Sequence, residues 1–270
     1  MQSLYGAIAN YNKKINMVSI DRVYQKVLAL ANKEQRGYIT PQEFNLFADH
    51  AQMEIFEQYF YDLNQFQRLP GNSTGHSDVV TNLEEKISFF EEYDKNVTVQ
   101  GNYGNVMTSE VDGLYRIEMI RVDYVTESSL RVAEEIQLNE LNKYSTAPLG
   151  KWSKKRPVYT RYRGSTNPQA IKVYPYPEPA TLGNNNNYIF TDRVLISYIK
   201  KPSKPNWAYV VINNKPLYNT TSAVDFELHA SEETELVYRI LALFGIAIEK
   251  PQLTQIAAGL QGSQIQQEKQ

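Results

Sequence analysis

The sequence predicts an α+β protein: a helical bundle of N-terminal and C-terminal helices that carries an inserted small antiparallel β domain. Two observations predict this class. Apolar residues recur at steps of three and four near both ends of the chain, and they alternate with polar residues in the middle. The predicted parts are an N-terminal helical unit (1–95), an antiparallel β domain (96–222), C-terminal helices that pack on the helical unit (223–260) and a flexible polar tail (261–270).

A long helix near the N-terminus is the strongest predicted element. Thr40 can cap it, Pro41 suits its first turn, and Glu43 stands three residues after Thr40, as in a capping box. The helix is apolar over much of its circumference, so it needs neighbours on more than one side. We expect some of them to come from another copy of the chain. The residues predicted at that subunit interface are Phe44, Phe47, Phe56, Phe60 and Tyr61.

The remaining elements follow from shorter patterns. Helices are predicted at 19–32, near 80–90, at 133–144, from Phe226 and from Pro251, and strands at 114–125, 157–163, 170–174, 193–200 and 207–212. The strands at 157–163 and 170–174 are expected to form a hairpin. In the strand at 114–125 the alternation slips by one residue at Met119 and Ile120, which predicts a β-bulge or a twisted edge there.

The composition excludes several classes of protein. The chain has 270 residues, a net charge of −2 and no cysteine. A near-neutral charge does not indicate a strongly basic nucleic-acid-binding surface, and the lack of cysteine excludes a disulfide scaffold and thiolate chemistry. We expect neither a signal peptide nor a membrane-spanning segment. The 20 tyrosines favour contacts with other proteins, since tyrosine is enriched in interfaces.

Catalytic patterns are not found in the sequence. The three histidines, His50, His76 and His229, lack metal-ligand spacing, and neither a phosphate-binding glycine loop nor a GxSxG motif occurs. Carboxylates cluster at 84–85, 91–94 and 134–135, where solvated faces are the ordinary interpretation. A carboxylate hydrolase that uses Glu84, Glu85, Glu91 and Glu92 is the least favoured hypothesis. We therefore expect that the protein is not an enzyme and that it has neither a cofactor nor a metal site.

The stretch KWSKKRPVYTRYR, at 151–163, combines basic and aromatic residues without an acidic one. Such a mixture can follow a phosphate backbone. It can also be a basic strand edge that resists aggregation, or a patch that meets acidic residues of a neighbouring subunit, such as those at 84–94. Candidate contacts to DNA or an acidic partner are Lys151, Lys154, Lys155, Arg156, Arg161 and Arg163. A monomeric glycan- or nucleic-acid-binding module that uses 151–176 is the alternative function.

The order of the parts resembles a family of virus proteins. A helical N-terminus precedes the segments RPVYTRYRG, AIKVYPYPEP and RVLISYIKKPSKPNW, and TELVYRILALFGIAIEKPQL closes the chain. This arrangement is similar to the head–tail connector proteins, also called adaptor or ring proteins, of short-tailed bacteriophages, among which the crAss-like group is a candidate.

The resemblance implies a structural protein of the virion neck, assembled in the host cytoplasm and without a membrane partner. Its copies would form a ring, commonly dodecameric. The ring would bind the portal protein on one side and the next tail or ring protein on the other, with double-stranded DNA in its channel. The resemblance carries over no catalytic residue.

Overall fold

A computed structural model describes residues 17–33, 39–68, 74–100, 105–106, 111–125, 129–163, 170–177, 181–182, 188–189, 192–247 and 258–263. The chain divides into two compact units. The helical unit comprises Met1–Phe89 and Pro202–Gln270, and the sheet unit comprises Phe90–Lys201. Residues 251–257, where we predicted the start of a last helix, and most of the predicted tail, 264–270, lie outside the described residues.

The elements are numbered in chain order. The helices are α1 (Ile20–Lys33), α2 (Pro41–Arg68), α3 (Thr74–Ser88), α4 (Leu141–Thr146) and α5 (Glu233–Ala247). The strands are β1 (Met17–Val18), β2 (Glu91–Val97), β3 (Val99–Gln100), β4 (Asn105–Val106), β5 (Leu114–Tyr124), β6 (Ser129–Val132), β7 (Glu134–Glu135), β8 (Val158–Tyr162), β9 (Ala170–Tyr174), β10 (Thr181–Leu182), β11 (Tyr188–Ile189), β12 (Arg193–Lys200), β13 (Tyr209–Ile212), β14 (Lys215–Tyr218) and β15 (Phe226–His229). Residues 258–263 are also helical.

The predicted fold class is wrong. Of the described residues, 42% are helical and 34% lie in strands, so the protein is a mixed α/β structure and not a helical bundle with a small β insertion. Five sheets occur among the described residues. Many of the strands have two to four residues, too few to show an alternating pattern, and for this reason the sequence underestimated the β content. Where we expected a helix to begin at Phe226, the chain forms β15, and the helix α5 begins at Glu233. Where we expected a helix at 133–144, the chain forms β7 first, and the helix α4 begins at Leu141.

The helical unit is built on α2, which packs against α3 and α5, while α5 also packs against α1. Their buried residues recur at steps of three and four, because those positions share one helix face. In α2 the buried residues are Pro41, Phe44, Ala48, Ala51, Gln52, Ile55, Phe56, Tyr59 and Asp62, and in α5 they are Glu235, Leu236, Val237, Arg239, Ile240, Leu241, Phe244 and Gly245. The apolar stripe predicted for α2 is therefore a core face of its own unit.

The start of α2 has the predicted capping box. The Thr40 amide donates to Glu43 Oε2 at 3.0 Å, and the Glu43 amide donates to Thr40 Oγ1 at 3.3 Å. These reciprocal bonds satisfy two of the amides that a helix N-terminus leaves without intrahelical partners. This prediction is confirmed.

Two buried polar side chains join distant parts of the helical unit. Gln52 of α2 donates to the Ser203 carbonyl at 2.9 Å and accepts from the Glu227 amide at 3.1 Å. Arg239 of α5 donates to Glu235 at 2.8 Å and forms an ion pair with Glu54 of α2 at 3.3 Å. Both side chains therefore replace, with fixed partners, the hydrogen bonds that water would otherwise supply.

The hairpin formed by β13 and β14 packs on aromatic side chains at its open end. Trp207, just before β13, stacks on Tyr24 with ring centroids 4.1 Å apart, and its Nε1 donates to Asp21 at 2.9 Å. The turn residues Asn213 and Asn214 have φ of 50° and 61°. Two consecutive positive φ values at a two-residue loop define a type I′ turn, which asparagine tolerates and which matches the twist of the strands.

The sheet unit holds the two larger sheets. A four-stranded antiparallel sheet has the order β2-β12-β5-β6. A five-stranded sheet has the order β3-β4-β9-β8-β7, in which only the β7–β8 pair is parallel. Both contribute to one buried cluster, which includes Ile120, Val122, Val194 and Ile196 of the first and Tyr159, Ile171 and Val173 of the second. A smaller cluster with Ile136, Val158 and Tyr174 is packed by Leu141, Tyr144 and Trp152.

The strand predictions for this unit hold in detail at three places. The β9 and β12 bounds match the predicted ones, and β8 pairs with β9 as a hairpin. In β5, Met119 lies opposite Ser197 and Ile117 lies opposite Tyr198, which leaves Glu118 as an extra residue. The bulge is thus confirmed, one residue before the predicted slip, and it explains the change of phase along the strand.

Replacement of Gln52 by leucine should destabilise the helical unit strongly. Gln52→Leu leaves the half-buried Ser203 carbonyl and Glu227 amide without this partner, which costs about 2–4 kcal/mol in the free energy of unfolding. Urea denaturation followed by circular dichroism measures this loss. Gln65→Leu, on the exposed side of the same helix, is the control and should change the value by less than about 0.5 kcal/mol. Equal effects of the two substitutions would contradict the assigned role.

The capping box should be visible in the titration of Glu43. Hydrogen bonds from the Thr40 backbone and then from its hydroxyl hold the pKa of Glu43 below its usual value. Since the folded-state pKa is depressed, this contribution to stability is present above the unfolded-state pKa and is lost as the pH falls through the folded-state pKa. An NMR titration of the Glu43 carboxyl carbon should show the low pKa. Thr40→Val removes the hydroxyl bond but keeps the backbone amide bond, which is the larger cause, so it should raise the pKa only part of the way. An unchanged pKa in that variant would refute the contribution of the hydroxyl.

Candidate interaction surfaces

The basic stretch at 151–163 enters strand β8, and the strand divides it. Val158, Tyr159 and Thr160, the first three residues of β8, are buried. Lys151, Lys155 and Arg156 before them are exposed, as are Arg161 and Arg163 after them. The cations therefore form two groups along the chain with three buried residues between them.

Two of the predicted basic contacts are neutralised within the sheet unit. Arg156 Nη2 lies 3.0 Å from Glu134 Oε2, and Arg161 Nε lies 2.8 Å from Glu135 Oε1. The Tyr159 hydroxyl also donates to Glu135, at 2.9 Å. These carboxylates belong to β7, which pairs in parallel with β8 and so brings them beside the arginines. The sequence shows both carboxylates as a cluster, but their partners, 22 and 26 residues away, depend on this pairing.

The remaining cations differ in surroundings. Lys154 Nζ lies 5.6 Å from the centre of the Tyr124 ring, a cation–π distance. Within the described residues, no ion pair involves Lys151, Lys155 or Arg163. Of the six predicted basic contacts, the exposed side chains of Lys151, Lys155 and Arg163 are therefore the ones that can bind a charged ligand.

An aromatic–lysine cluster lies next to the basic stretch. The Trp152 and Tyr174 rings are 5.1 Å apart, and Tyr174 and Tyr176 are 5.2 Å apart. Lys172 Nζ lies 5.2 Å from the Tyr176 ring and 5.6 Å from the Tyr174 ring. Tyr174 is buried, whereas Tyr176 is 41% exposed. The cluster therefore offers one accessible ring beside a cation, on which a nucleobase or a sugar ring can stack.

The five residues predicted at a subunit interface separate into two groups. Phe44 and Phe56 are fully buried within the chain's own core, and the Phe44 ring packs on Tyr24 at 4.8 Å. Phe47 and Phe60 are half-buried, and Tyr61 is 62% exposed. Phe44 and Phe56 thus support the fold of the helical unit, which leaves Phe47, Phe60 and Tyr61 as candidates for contact with another chain.

Two exposed apolar surfaces occur in the helical unit. On α2, Leu46 is 64% exposed and Tyr61, about four turns further along the same helix, is 62% exposed. On the β13–β14 hairpin the exposed side chains are Val210, Val211, Ile212 and Leu217, each at least 50% accessible. Sequence analysis predicted a short strand at 207–212, but it did not predict β14 or the exposure of the hairpin. The consecutive asparagines Asn213 and Asn214, which favour a two-residue turn, are the sequence feature from which the hairpin could have been predicted.

The helical unit also has a cleft of about 390 Å³, lined by residues of α2, α3 and the segment that precedes α5. Lys86 lies at its edge and forms an ion pair with buried Glu232 at 2.6 Å. His229 Nδ1 accepts from the Ser231 amide, as an N-cap of the 3₁₀ turn at Ala230–Glu232. These polar groups hold the start of α5 in place. Among the described residues, no group of three or more potential ligands could hold a metal ion.

The comparisons with known proteins do not identify this chain. No family model matches the sequence, and no curated protein matches it. None of the helices within the described part of the chain has the length and apolar character needed to cross a membrane.

Proposed function

We propose that this protein is a virion structural protein whose copies form a ring between the portal and the tail of a short-tailed bacteriophage. The ring lines the passage for double-stranded DNA and binds the portal on one side and the next tail or ring protein on the other. This proposal extends the resemblance of the segments between 156 and 253 to connector proteins. It places the protein in the neck of the particle.

The exposed apolar side chains of the helical unit carry the proposal. Leu46, Tyr61 and the three hairpin residues at 210–212 are each at least half accessible to solvent. Apolar surface outside a core is stabilised when another protein covers it. A subunit that is surrounded by copies of itself and by neighbouring rings has such surfaces on more than one side.

Charged residues support the same arrangement. The exposed cations Lys151, Lys155 and Arg163 can meet the exposed carboxylates Glu84, Glu85 and Glu92 of another copy. Such complementary patches set the orientation of an interface more than its strength.

Charged substitutions on the outer side of α2 should prevent incorporation into particles. The double variant Leu46→Asp/Tyr61→Asp changes two exposed residues, so the fold is retained while the apolar contact is lost. We expect its copy number in purified particles, measured by quantitative mass spectrometry, to fall by a factor on the order of ten or more. The wild-type protein should be present in a number equal to that of the portal.

Asn64→Asp is the matched control, because it adds a charge at an exposed polar position of the same helix. It should be incorporated like the wild type. Phe56→Asp, by contrast, should unfold the helical unit, since its ring is fully buried. Particles without the wild-type protein would refute the proposed function, and normal incorporation of the double variant would refute the role of this surface.

The aromatic–lysine cluster favours a second candidate function, a monomeric module that binds single-stranded nucleic acid or glycan. The accessible Tyr176 ring, the adjacent Lys172 and the exposed Lys155 are suited to a stacked base and its phosphate. Because two arginines of the stretch are bound to Glu134 and Glu135, their contribution to such a site is smaller than their number indicates.

Fluorescence anisotropy with a labelled single-stranded oligonucleotide tests this alternative. Tyr176→Ala should weaken binding by about tenfold through the lost stacking, and added salt should weaken it further. Glu135→Gln should strengthen binding, since it leaves Arg161 without a carboxylate partner. Glu84→Gln, the same change of charge outside the sheet unit, is the control. Failure of the wild type to bind at low salt would exclude nucleic acid as the ligand.

A further inference from the structure

We propose that neighbouring copies join by strand pairing between the outer edge of β13 in one copy and the outer edge of β6 in the next. This inference deepens the proposed ring and rests on it for the head-to-tail direction of the contact. Two different edges meet, so in a pair one copy keeps its β6 edge free and the other keeps its β13 edge free, and each copy in a ring can bind a neighbour on both sides. Interfaces of this heterologous type close into rings when the rotation between copies allows it.

The alternation of hydrogen-bonded and non-hydrogen-bonded pairs along the hairpin shows which backbone groups of β13 point away from β14. In a two-residue hairpin, the residues that flank the turn form a hydrogen-bonded pair, here Ile212 with Lys215. The Asn219 amide donates to the Ala208 carbonyl at 2.9 Å, which fits this alternation. The amide and carbonyl groups of Tyr209 and Val211 therefore point away from β14. They form a regular outer edge that can accept another strand.

The other edge of the hairpin is closed. Val211 lies opposite Pro216, a pair whose backbone groups point outward. Proline has no amide hydrogen, so β14 lacks one of the donors that an added strand requires. Strand addition is thus directed to β13, and the hairpin cannot extend on both sides.

The side chains of the hairpin are exposed on both of its faces. Val210 and Val211 point to opposite faces, since they are consecutive strand residues, and they are 50% and 60% exposed. Two-stranded sheets are of marginal stability in water, and further strands stabilise them. The base of this hairpin, however, is fixed by the stacking of Trp207 on Tyr24. The edge is therefore presented in a defined conformation.

Strand β6 presents a matching edge in the sheet unit. It is the last strand of the order β2-β12-β5-β6. The Ala133 amide donates to the Ile120 carbonyl at 2.8 Å, which sets the alternation along the β5–β6 pair. The backbone groups of Leu130 and Val132 consequently point outward. These two residues are 40% and 59% exposed, and β6 has four residues, the same number as β13.

The opposite edge of the four-stranded sheet is protected. Strand β2 has exposed charged residues, Glu92, Asp94 and Lys95, and Asp94 has a φ of 54° that interrupts the extended backbone. Charges and irregular backbone are the usual means by which proteins keep an edge from pairing. Strand β6 has one charge, Arg131, and β13 has none. Pairing of β13 with β6 therefore brings no like charges together.

Proline substitutions on each edge test the pairing in the full-length protein. Val211→Pro removes an outward amide of β13, and Val132→Pro removes one of β6, while neither amide serves its own sheet. Sedimentation equilibrium should show that the wild type self-associates and that either variant alone raises the dissociation constant by at least about tenfold. Val211→Thr and Val132→Thr keep the amides and should behave like the wild type. Circular dichroism checks that the proline variants are folded, and Val211→Lys and Val132→Lys replace them if they are not.

A mixture of the two proline variants gives the sharpest result. Val211→Pro retains an intact β6 edge and Val132→Pro an intact β13 edge, so the mixture should form a heterodimer although each variant alone does not associate. Loss of association in Val211→Pro together with wild-type association in Val132→Pro would show that β13 pairs with itself, which overturns the proposal. A monomeric wild type, or proline variants that associate normally, would overturn it as well.

The outcomes also separate this inference from the proposed function. Particles that contain the protein in the portal's copy number, with edge variants incorporated normally, would leave the ring standing and refute the edge contact. Conversely, edge-dependent association of a protein that particles lack would support the contact between copies and refute the proposed role in the virion.

Discussion

The side-chain amide of Gln52, buried in the middle of α2, joins three stretches of the helical unit that are far apart in the sequence. It binds the backbone at Ser203, where the chain re-enters this unit, and at Glu227 in β15. The Gln52 side chain is fully buried, so its amide is satisfied only when the long helix, the returning segment and the strand before α5 assemble together. The apolar faces of α1, α3 and α5 determine that the helices pack, and Gln52 determines where the irregular chain lies against them.

In the sheet unit, the decisive constraint is the parallel pairing of β7 with β8. It places two carboxylates beside two arginines and converts two of the six cations of a conspicuous basic stretch into internal ion pairs. Exposed pairs of this kind add little to stability. Their effect is on recognition, because they reduce the charge available to an external phosphate and leave Lys151, Lys155, Arg163 and the Tyr176 ring as the accessible part of the surface.

The helices with long periodic patterns were predictable, and so were the capping box and the bulge in β5, because each has a local cause in neighbouring residues. The fold class was not, since it depends on strands as short as β7 and β10, which only their partners define. The same limit applies to the surfaces. Periodicity shows that Phe44 and Phe47 belong to an apolar helix, but only packing shows that Phe44 is buried and Phe47 partly accessible. The partners of Arg156 and Arg161 likewise depend on a register that neighbouring residues do not specify.

The ends of the sheet unit have one more property. The Lys200 amide donates to the Phe90 carbonyl at 2.7 Å, so the unit's first residue and its next-to-last residue are adjacent. The sheet unit is an insertion of 112 residues (90 to 201) into the helical unit. Because its two ends are adjacent, it spans as short a distance between the flanking segments of the helical unit as a tight loop would. The entropy of loop closure depends on this end-to-end separation once the insert is folded, and not on the number of residues that it contains. The sheet unit can accordingly lengthen, shorten or be exchanged during evolution while the helical unit keeps its core.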